Sequence, residues 1–306
     1  MEIITEKSLD LAHLTPEAQV WARLPAAERI NKIRSERWIG YTRARQALTE
    51  LENLLMWPVR QRMQNMLLIG PTNNGKSMII EKFSRQHLPQ SSKDGAKEIT
   101  PVVVMQMPSD PSITRFYSIL LSVMNSPIAK RLRTSELEIL ALDVMKETKV
   151  RVLIIDEIHN ILAGGVSTRN EFLNLLRFLG NILRITIIGV GTEDAYRAIR
   201  TDDQLENRFY PFILPRWKDN DEFLSLLASF AASFPLLRPS ELYSNEMARY
   251  ILARTEGTIG EIATFLTYAA ITAVETGEEA INSKIFSLTN YDGPTVRRQK
   301  FEREIV

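Results

Sequence analysis

The chain has 306 residues, 44% hydrophobic and 25% charged, the balance of an ordinary globular protein with room for one large domain or two modest ones. Its 38 Lys and Arg against 37 Asp and Glu leave a net charge of +1, so any nucleic-acid surface must be a local patch. The absence of cysteine excludes disulfides and thiolate metal sites, and three scattered histidines, His13, His87 and His159, argue against a histidine metal centre.

The first residues, Met-Glu-Ile-Ile-Thr-Glu-Lys, lack the basic-then-apolar pattern of a leader. No apolar run approaches the ~20 residues that a membrane-spanning helix needs, so no membrane partner is expected. Residues 1 to 60 read as a polar, helical extension, with apolar spacing at Leu48, Leu51, Leu54 and Leu55. Apolar runs rich in β-branched residues then recur at 66–69, 102–105, 150–155, 185–190 and 209–214. Helix-period stretches lie between them, near 75–86, 112–124, 135–147, 168–182 and 192–199. Buried strands alternating with amphipathic helices predict an α/β domain over 61–216, built on a five-stranded parallel sheet. Past Pro215 only helical patterns remain, near 219–234, 243–254, 258–276 and 280–288, which predicts a small helical domain over 217–290. Residues 291–306 carry Arg297, Arg298, Lys300 and Arg303 and are expected to form a mobile tail.

The first apolar run leads into Gly70-Pro71-Thr72-Asn73-Asn74-Gly75-Lys76-Ser77, followed by Met78 and the next helical stretch. Four residues between two glycines, then Lys and Ser, between a strand and a helix, is the spacing of a phosphate-binding loop. Glycine permits the dihedrals that turn backbone N–H groups inward, and the helix N-terminus adds partial positive charge. Lys76 would reach the β- and γ-phosphates of ATP, and Ser77 would hold Mg²⁺. The run Val150–Ile155 ends in Asp156-Glu157. Two carboxylates at the end of a buried strand are costly unless they serve a site there; Asp156 would hold Mg²⁺ through its water shell and Glu157 would polarise the attacking water. The same box, Asp156-Glu157-Ile158-His159, occurs in helicases with two motor domains, but no second parallel sheet follows Pro215.

Several stretches together resemble the AAA+ superfamily and, within it, the TniB/TnsC-type transposition ATPases. They are Ala26–Ile30, Arg37–Ala44, Met66–Ser77, Ile155–Asn160, Gln204–Phe209 and Glu256–Glu261. The resemblance is closest to TniB and rests on the Pro-Thr-Asn-Asn-Gly-Lys and Asp-Glu-Ile-His-Asn wording rather than on the phosphate loop alone. It implies an AAA+ type P-loop NTPase whose C-terminal helices form a lid, with the 185–190 strand inserted between the two motif strands. It further implies an ATPase of the bacterial cytoplasm, stimulated by DNA and by homo-oligomerisation. Such a protein would assemble as a filament or ring on double-stranded DNA without reading sequence, recruit a DDE transposase, respond to a TniQ-like target selector, and disassemble on hydrolysis. A helicase-loader or clamp-loader-like ATPase, or a switch that does not hydrolyse, are the alternatives.

The resemblance also assigns further residues. Ile39-Gly40 matches the box near the adenine, or is a turn before the Leu48–Leu55 helix. Thr192 is placed as the polar sensor of the γ-phosphate, or as a helix N-cap before Glu193-Asp194. Arg208 matches the arginine that reaches a neighbouring subunit's ATP, or pairs on the surface with Glu206, Asp202 or Asp203. The lid arginine of the Gly-x-x-Arg pattern is missing, because Gly260 stands at its position; Arg254 is the nearest substitute. For DNA, Arg115, Lys130, Arg131, Arg133 and Thr134 form a candidate backbone-binding patch, or a solvated face balanced by Glu136 and Glu138. Without aromatic interleaving, stacked single strands are not expected.

Overall fold

The two strands that lead into the nucleotide motifs, Asn65–Ile69 and Val152–Asp156, are buried on both faces, and helices alternate with the strands of their sheet. The computed structural model describes residues 10–91, 98–128 and 132–305. They form two compact units: Arg43–Pro215, and a second unit that joins the residues up to Thr42 with those from Arg216 on.

In the second unit, α1 (Pro16–Ala22) and α2 (Ala26–Arg34) come first. Helix α3 (Thr42–Met56) opens the sheet unit and buries Ala44, Ala47, Leu51, Leu54 and Leu55 on one face. Strand β1 (Asn65–Ile69) is buried along its whole length and feeds α4 (Lys76–Gln86). A two-stranded antiparallel pair, β2 (Gln90–Ser91) and β3 (Glu98–Ile99), precedes β4 (Val102–Gln106). Helices α5 (Ile113–Val123) and α6 (Thr134–Glu147) lead to β5 (Val152–Asp156). A 3-10 turn (Ile158–Ala163), α7 (Val166–Leu183), β6 (Thr186–Gly191), α8 (Glu193–Ile199), α9 (Asp203–Glu206) and β7 (Phe209–Ile213) complete the unit.

Among the described residues the main sheet has five parallel strands in the order β4-β5-β6-β1-β7. β6, though last but one in sequence, pairs with β5 on one side and β1 on the other, with Ile188 opposite both Ile154 and Met66. This crossover sets the ends of β1 and β5 one strand apart, as ligand sites of open parallel sheets require. Phe116, Phe172, Leu153, Ile187 and Leu179 fill the core over one face. The buried Asn65 side chain is satisfied by accepting from Ile187 N–H at 2.9 Å.

The second unit continues with α10 (Asp221–Ser233), α11 (Asn245–Thr255), α12 (Ile259–Glu275), α13 (Ser283–Leu288) and α14 (Pro294–Ile305). Ile33 of α2 joins Phe223, Phe230, Phe265, Leu266 and Ile285 in one core. Arg29 lies buried in it and makes a two-pronged pair with Glu279 at 2.6 Å on each arm. The N-terminal extension expected over 1–60 is divided: its described residues through Thr42 cluster with the C-terminal helices, and α3 belongs with the sheet. An apolar helix face specifies that it is covered but not by what. The segment from Tyr291, expected to be a mobile tail, is anchored. Tyr291 is buried and donates to Glu261 at 2.8 Å, Thr295 N–H and O–H both reach Glu256, and Arg297 pairs with Glu261. Among the described residues no single helix is long and apolar enough to cross a membrane; α11 and α12 qualify only as a pair bent by 113°.

Candidate active site

The loop between β1 and α4 takes its shape from two left-handed residues, Asn73 (φ 59°) and Gly75 (φ 80°). Gly75 is the N-cap of α4 and offers no side-chain cap, so the first N–H groups of the helix face the loop. Turns of alternating hand gather N–H dipoles into an anion-binding hollow. Lys76 is buried, and its ammonium donates to Gly70 O at 2.9 Å and Pro71 O at 2.7 Å. Burial pushes this ammonium below its ordinary value, against the pull of Glu157 and then Asp156. Both carboxylates therefore act on Lys76. Thr72, Asn73 and Ser77 are exposed, Pro71 and Met78 half-buried. Asn74 is buried, and its amide donates to Leu214 O at 2.9 Å and Pro215 O at 3.1 Å. The phosphate loop is thereby tied to the residues that follow β7.

At the end of β5, Asp156 divides its two oxygens: Oδ2 accepts from Ser77 Oγ at 2.9 Å and Oδ1 from Glu157 N–H at 2.8 Å. Glu157 itself is left-handed (φ 53°, ψ 35°), a conformation that costs a non-glycine residue about 1 kcal/mol or more and that gathers at functional sites. Its Oε2 lies 3.1 Å from His159 Nε2. Asn160 Nδ2 donates to Met107 O at 3.1 Å, and Met107 N–H donates to Asp156 O at 2.8 Å, which ties the box to the end of β4. Thr192 follows β6 and occupies the N-cap position of α8, yet its side chain makes no capping bond.

These residues fit a nucleotide phosphate with Mg²⁺. The hollow supplies N–H donors, Lys76 a cation, and Ser77 with Asp156 the paired hard oxygens that Mg²⁺ takes alongside phosphate and water. Among the described residues no cluster of three or more acidic or imidazole ligands forms a self-sufficient metal cage.

The remaining sequence-predicted residues lie elsewhere. Ile39 and Gly40 fall between α2 and α3 in the other compact unit, where Ile39 packs on its helical core. Arg254 donates to Tyr291 O at 2.6 Å and lies against the rings of Tyr250 and Phe265, so it is committed within its own unit. Arg208 donates to Asn181 Oδ1 at 2.9 Å. None of its three expected surface partners takes it: Glu206 pairs with Arg200 at 3.0 Å, Asp202 with Arg177 at 3.4 Å, and among the described residues no carboxylate forms an ion pair with Arg208. Burial, then the like charges of Arg62 and Arg177, press its guanidinium below the ordinary value, with Asp202 opposing.

Of the DNA candidates, Lys130 and Arg131 lie outside the described residues. The others are brought together: Thr114 Oγ1 and Thr134 Oγ1 share a hydrogen bond at 2.6 Å, which joins the start of α5, with Arg115, to the start of α6, with Arg133. Arg115, Arg133 and Thr134 are exposed. Glu136, expected to balance them, accepts the backbone N–H of Arg133 at 2.6 Å, and Glu138 accepts from Tyr117 O–H at 3.0 Å.

Sequence reasoning gave no role to Arg62, counted Asn74 among the loop residues that hold the nucleotide, and read His159 only as the start of the following loop with a local hydrogen bond. Asn74 and His159 stood inside recognised boxes, but a box states spacing and not which side chain turns inward.

The family described as "Bacterial TniB protein" matches residues 29–219, more than half of the chain. The chain belongs to the TniB family. Three solved structures share its fold at low identity. Aeropyrum pernix ORC2, described in ADPNP and ADP complexes, superposes with a TM-score of 0.57 at 15% identity, over 84% of this chain and 70% of that one. Cdc6p of Pyrobaculum aerophilum gives 0.56 at 18% identity, over 82% and 68%. Aeropyrum pernix ORC1, described in complex with DNA, gives 0.55 at 12% identity, over 90% and 70%. The chaperone protein ClpB of Mycoplasmoides gallisepticum (strain R(low / passage 15 / clone 2)) is 27% identical over 169 residues, 54% of this chain; the chain spans only 22% of the length of that relative. By family and fold this TniB-family protein has the α/β fold of AAA+ type P-loop NTPases, followed by C-terminal helices.

Proposed function

We propose that this protein hydrolyses ATP to ADP and phosphate and uses that cycle to regulate DNA transposition. In this reading it assembles on double-stranded DNA as an oligomer or filament, recruits or activates a DDE transposase under a TniQ-like target selector, and leaves when ATP is spent. The observation that carries the reading is the hydrogen bond between Ser77, in the first turn of α4, and Asp156, at the end of β5, with Glu157 next in line. Membership of the TniB family supports the transposition setting, and a DNA complex of the similarly folded ORC1 supports a DNA-bound assembly.

The roles follow from the chemistry of each group. Gly70–Ser77 and the N-terminus of α4, continued by Met78, hold the phosphates, with Lys76 as their cation. Bound Mg²⁺, on Ser77 and Asp156, supplies neutralisation of phosphate charge. Glu157 takes the proton of the attacking water, and Thr192 offers a hydroxyl at the end of the intervening strand. Ile39-Gly40 is assigned to the adenine. Arg208, without a carboxylate ion-pair partner among the described residues and beside Arg62 and Arg177, completes the site of a neighbouring subunit. Arg115, Arg133 and Thr134, at two adjoining helix N-termini, meet the DNA backbone together with Lys130 and Arg131. The location that fits this work is the bacterial cytoplasm.

Negative-stain microscopy of the protein with duplex DNA and a slowly hydrolysed ATP analogue tests the reading. Filaments or rings that need both ligands, and that persist with ATP in a Glu157→Gln variant, are expected. Monomers under all conditions, or a variant that turns ATP over like the parent, would overturn it.

A further inference from the structure

His159 sits two residues beyond Glu157, and its ring is gripped on both sides. Nε2 faces Glu157 Oε2 at 3.1 Å. On the other side Nδ1 is buried and, among the described residues, has no hydrogen-bond partner. It rests against Gly191, the last residue of β6, where an added Cβ would come within 3.0 Å of Nδ1 and 3.0 Å of Ala195 Cβ. A side chain there would press on the ring and on Ala195, one of which would have to give by a few tenths of an ångström. The dry side decides the tautomer of the neutral ring. A bare acceptor nitrogen with no donor beside it is cheaper than an N–H with nowhere to donate, so the proton belongs on Nε2, the nitrogen that lies 3.1 Å from the carboxylate. The backbone of Glu157 is left-handed at this point, and its carboxylate lies beside the ring two residues on.

From this geometry we infer that His159 is a positioning residue for ATP hydrolysis: it fixes one oxygen of Glu157 and leaves the other to take the proton of the attacking water. The inference rests on the reading of Glu157 as the base. It also accounts for the histidine of the Asp-Glu-Ile-His-Asn box without a helicase role. Because the ring packs on Gly191, the residue before Thr192, it holds the end of β5 and the end of β6 in one arrangement. A carboxylate pinned by a neutral donor keeps its negative charge and loses rotational freedom, and orientation of this kind lowers the barrier of the chemical step rather than the affinity for substrate.

Steady-state ATP hydrolysis with duplex DNA and binding of a fluorescent N-methylanthraniloyl ATP test this on the full chain. His159→Ala and His159→Asn, which cannot reach Glu157, are expected to bind the analogue like the parent, with KM unchanged and kcat lower by roughly ten- to a hundredfold, part of the 10²–10⁴ that a positioned base supplies. His159→Gln, whose amide nitrogen falls near the place of Nε2, is expected to regain most of the turnover. A His159→Ala enzyme with parental or higher kcat overturns the inference, as does a His159→Gln enzyme no faster than His159→Asn when both bind the analogue. If His159→Ala fails to fold, the Gln and Asn pair decides alone. Glu157→Gln separates the two layers: if it is inactive while His159→Ala is normal, only the positioning role fails, and if it is active, the reading of the base fails.

Discussion

Ser77 Oγ donates a 2.9 Å hydrogen bond to Asp156 Oδ2 across 79 residues of chain. Ser77 stands in the first turn of α4, after β1, and Asp156 ends β5; β6 lies between those two strands. Each side chain is too short to reach far, so the bond fixes the register of the phosphate loop against the acidic strand end. Ser77→Ala removes a hydroxyl that is exposed and leaves the core intact. The expected outcome is an unchanged melting temperature without ligand and a lost or strongly weakened dependence of ATP hydrolysis on Mg²⁺. A magnesium titration of the ATPase rate, parent against variant, checks it.

The depressed Lys76 ammonium predicts a proton linkage with a definite sign. Its folded value lies below the ordinary 10.5, so between those two values the folded chain holds fewer protons than the unfolded one. Raising the pH through that window therefore favours the folded, nucleotide-free chain, and the contribution is lost as the pH falls through the folded value. Phosphate charge at the loop reverses the balance by favouring the ammonium. ATP binding is expected to take up part of a proton where the pH lies within that window, and less where it lies below the window. Calorimetry in buffers of different ionisation enthalpy measures this uptake directly; equal uptake within and below the window would reject it.

The strands were legible because a parallel sheet covered on both faces writes itself as continuous apolar runs. β5 reads Val-Leu-Ile-Ile before its Asp156, and β1 is buried at every residue. Strand order was not legible in this way. Nothing local to Thr186–Gly191 says that it pairs with Met66, and only the resemblance supplied the insertion. The same limit hid the partition of the first 60 residues, since the faces of α2 and α3 are both apolar stripes and differ in what covers them. At the site, spacing named the phosphate loop but not the inward turn of Asn74 onto Leu214 O and Pro215 O. The clamp on Glu157 depends on a positive φ and on the missing Cβ of Gly191, neither of which a motif records.

The buried Arg29–Glu279 pair gives a stability prediction. Arg29 is 5% exposed, and besides Glu279 it donates to Pro235 O at 3.2 Å. Glu279 Oε2 also accepts Leu237 N–H at 3.3 Å. Removing one partner strands the other, at a cost of about 3–5 kcal/mol, whereas replacing both by apolar groups of similar volume is about neutral. Arg29→Ala is expected to lower the denaturant midpoint sharply, and Arg29→Met with Glu279→Leu to recover much of the loss. Urea unfolding of the three chains checks it; equal loss in the single and double variants would count against the account.

Arg208 predicts how turnover depends on concentration. Its guanidinium meets the like charges of Arg62 and Arg177 and pairs with no carboxylate among the described residues, so bringing an anionic phosphate to it relieves repulsion. If that phosphate belongs to a neighbour, ATP binding by a dilute chain survives Arg208→Ala while turnover in the assembly falls by about 10³-fold or more. Specific activity of the parent is expected to rise with protein concentration and to level off at assembly; that of the variant stays flat. Mixing supplies the sharper measurement. An Arg208→Ala chain retains its own phosphate loop, and a Lys76→Ala chain retains its own Arg208. Two inactive preparations combined are expected to regain part of the parental rate, because at some contacts each provides what the other lacks. No recovery on mixing, under conditions where microscopy finds joint assemblies, would put Arg208 outside the neighbour's site.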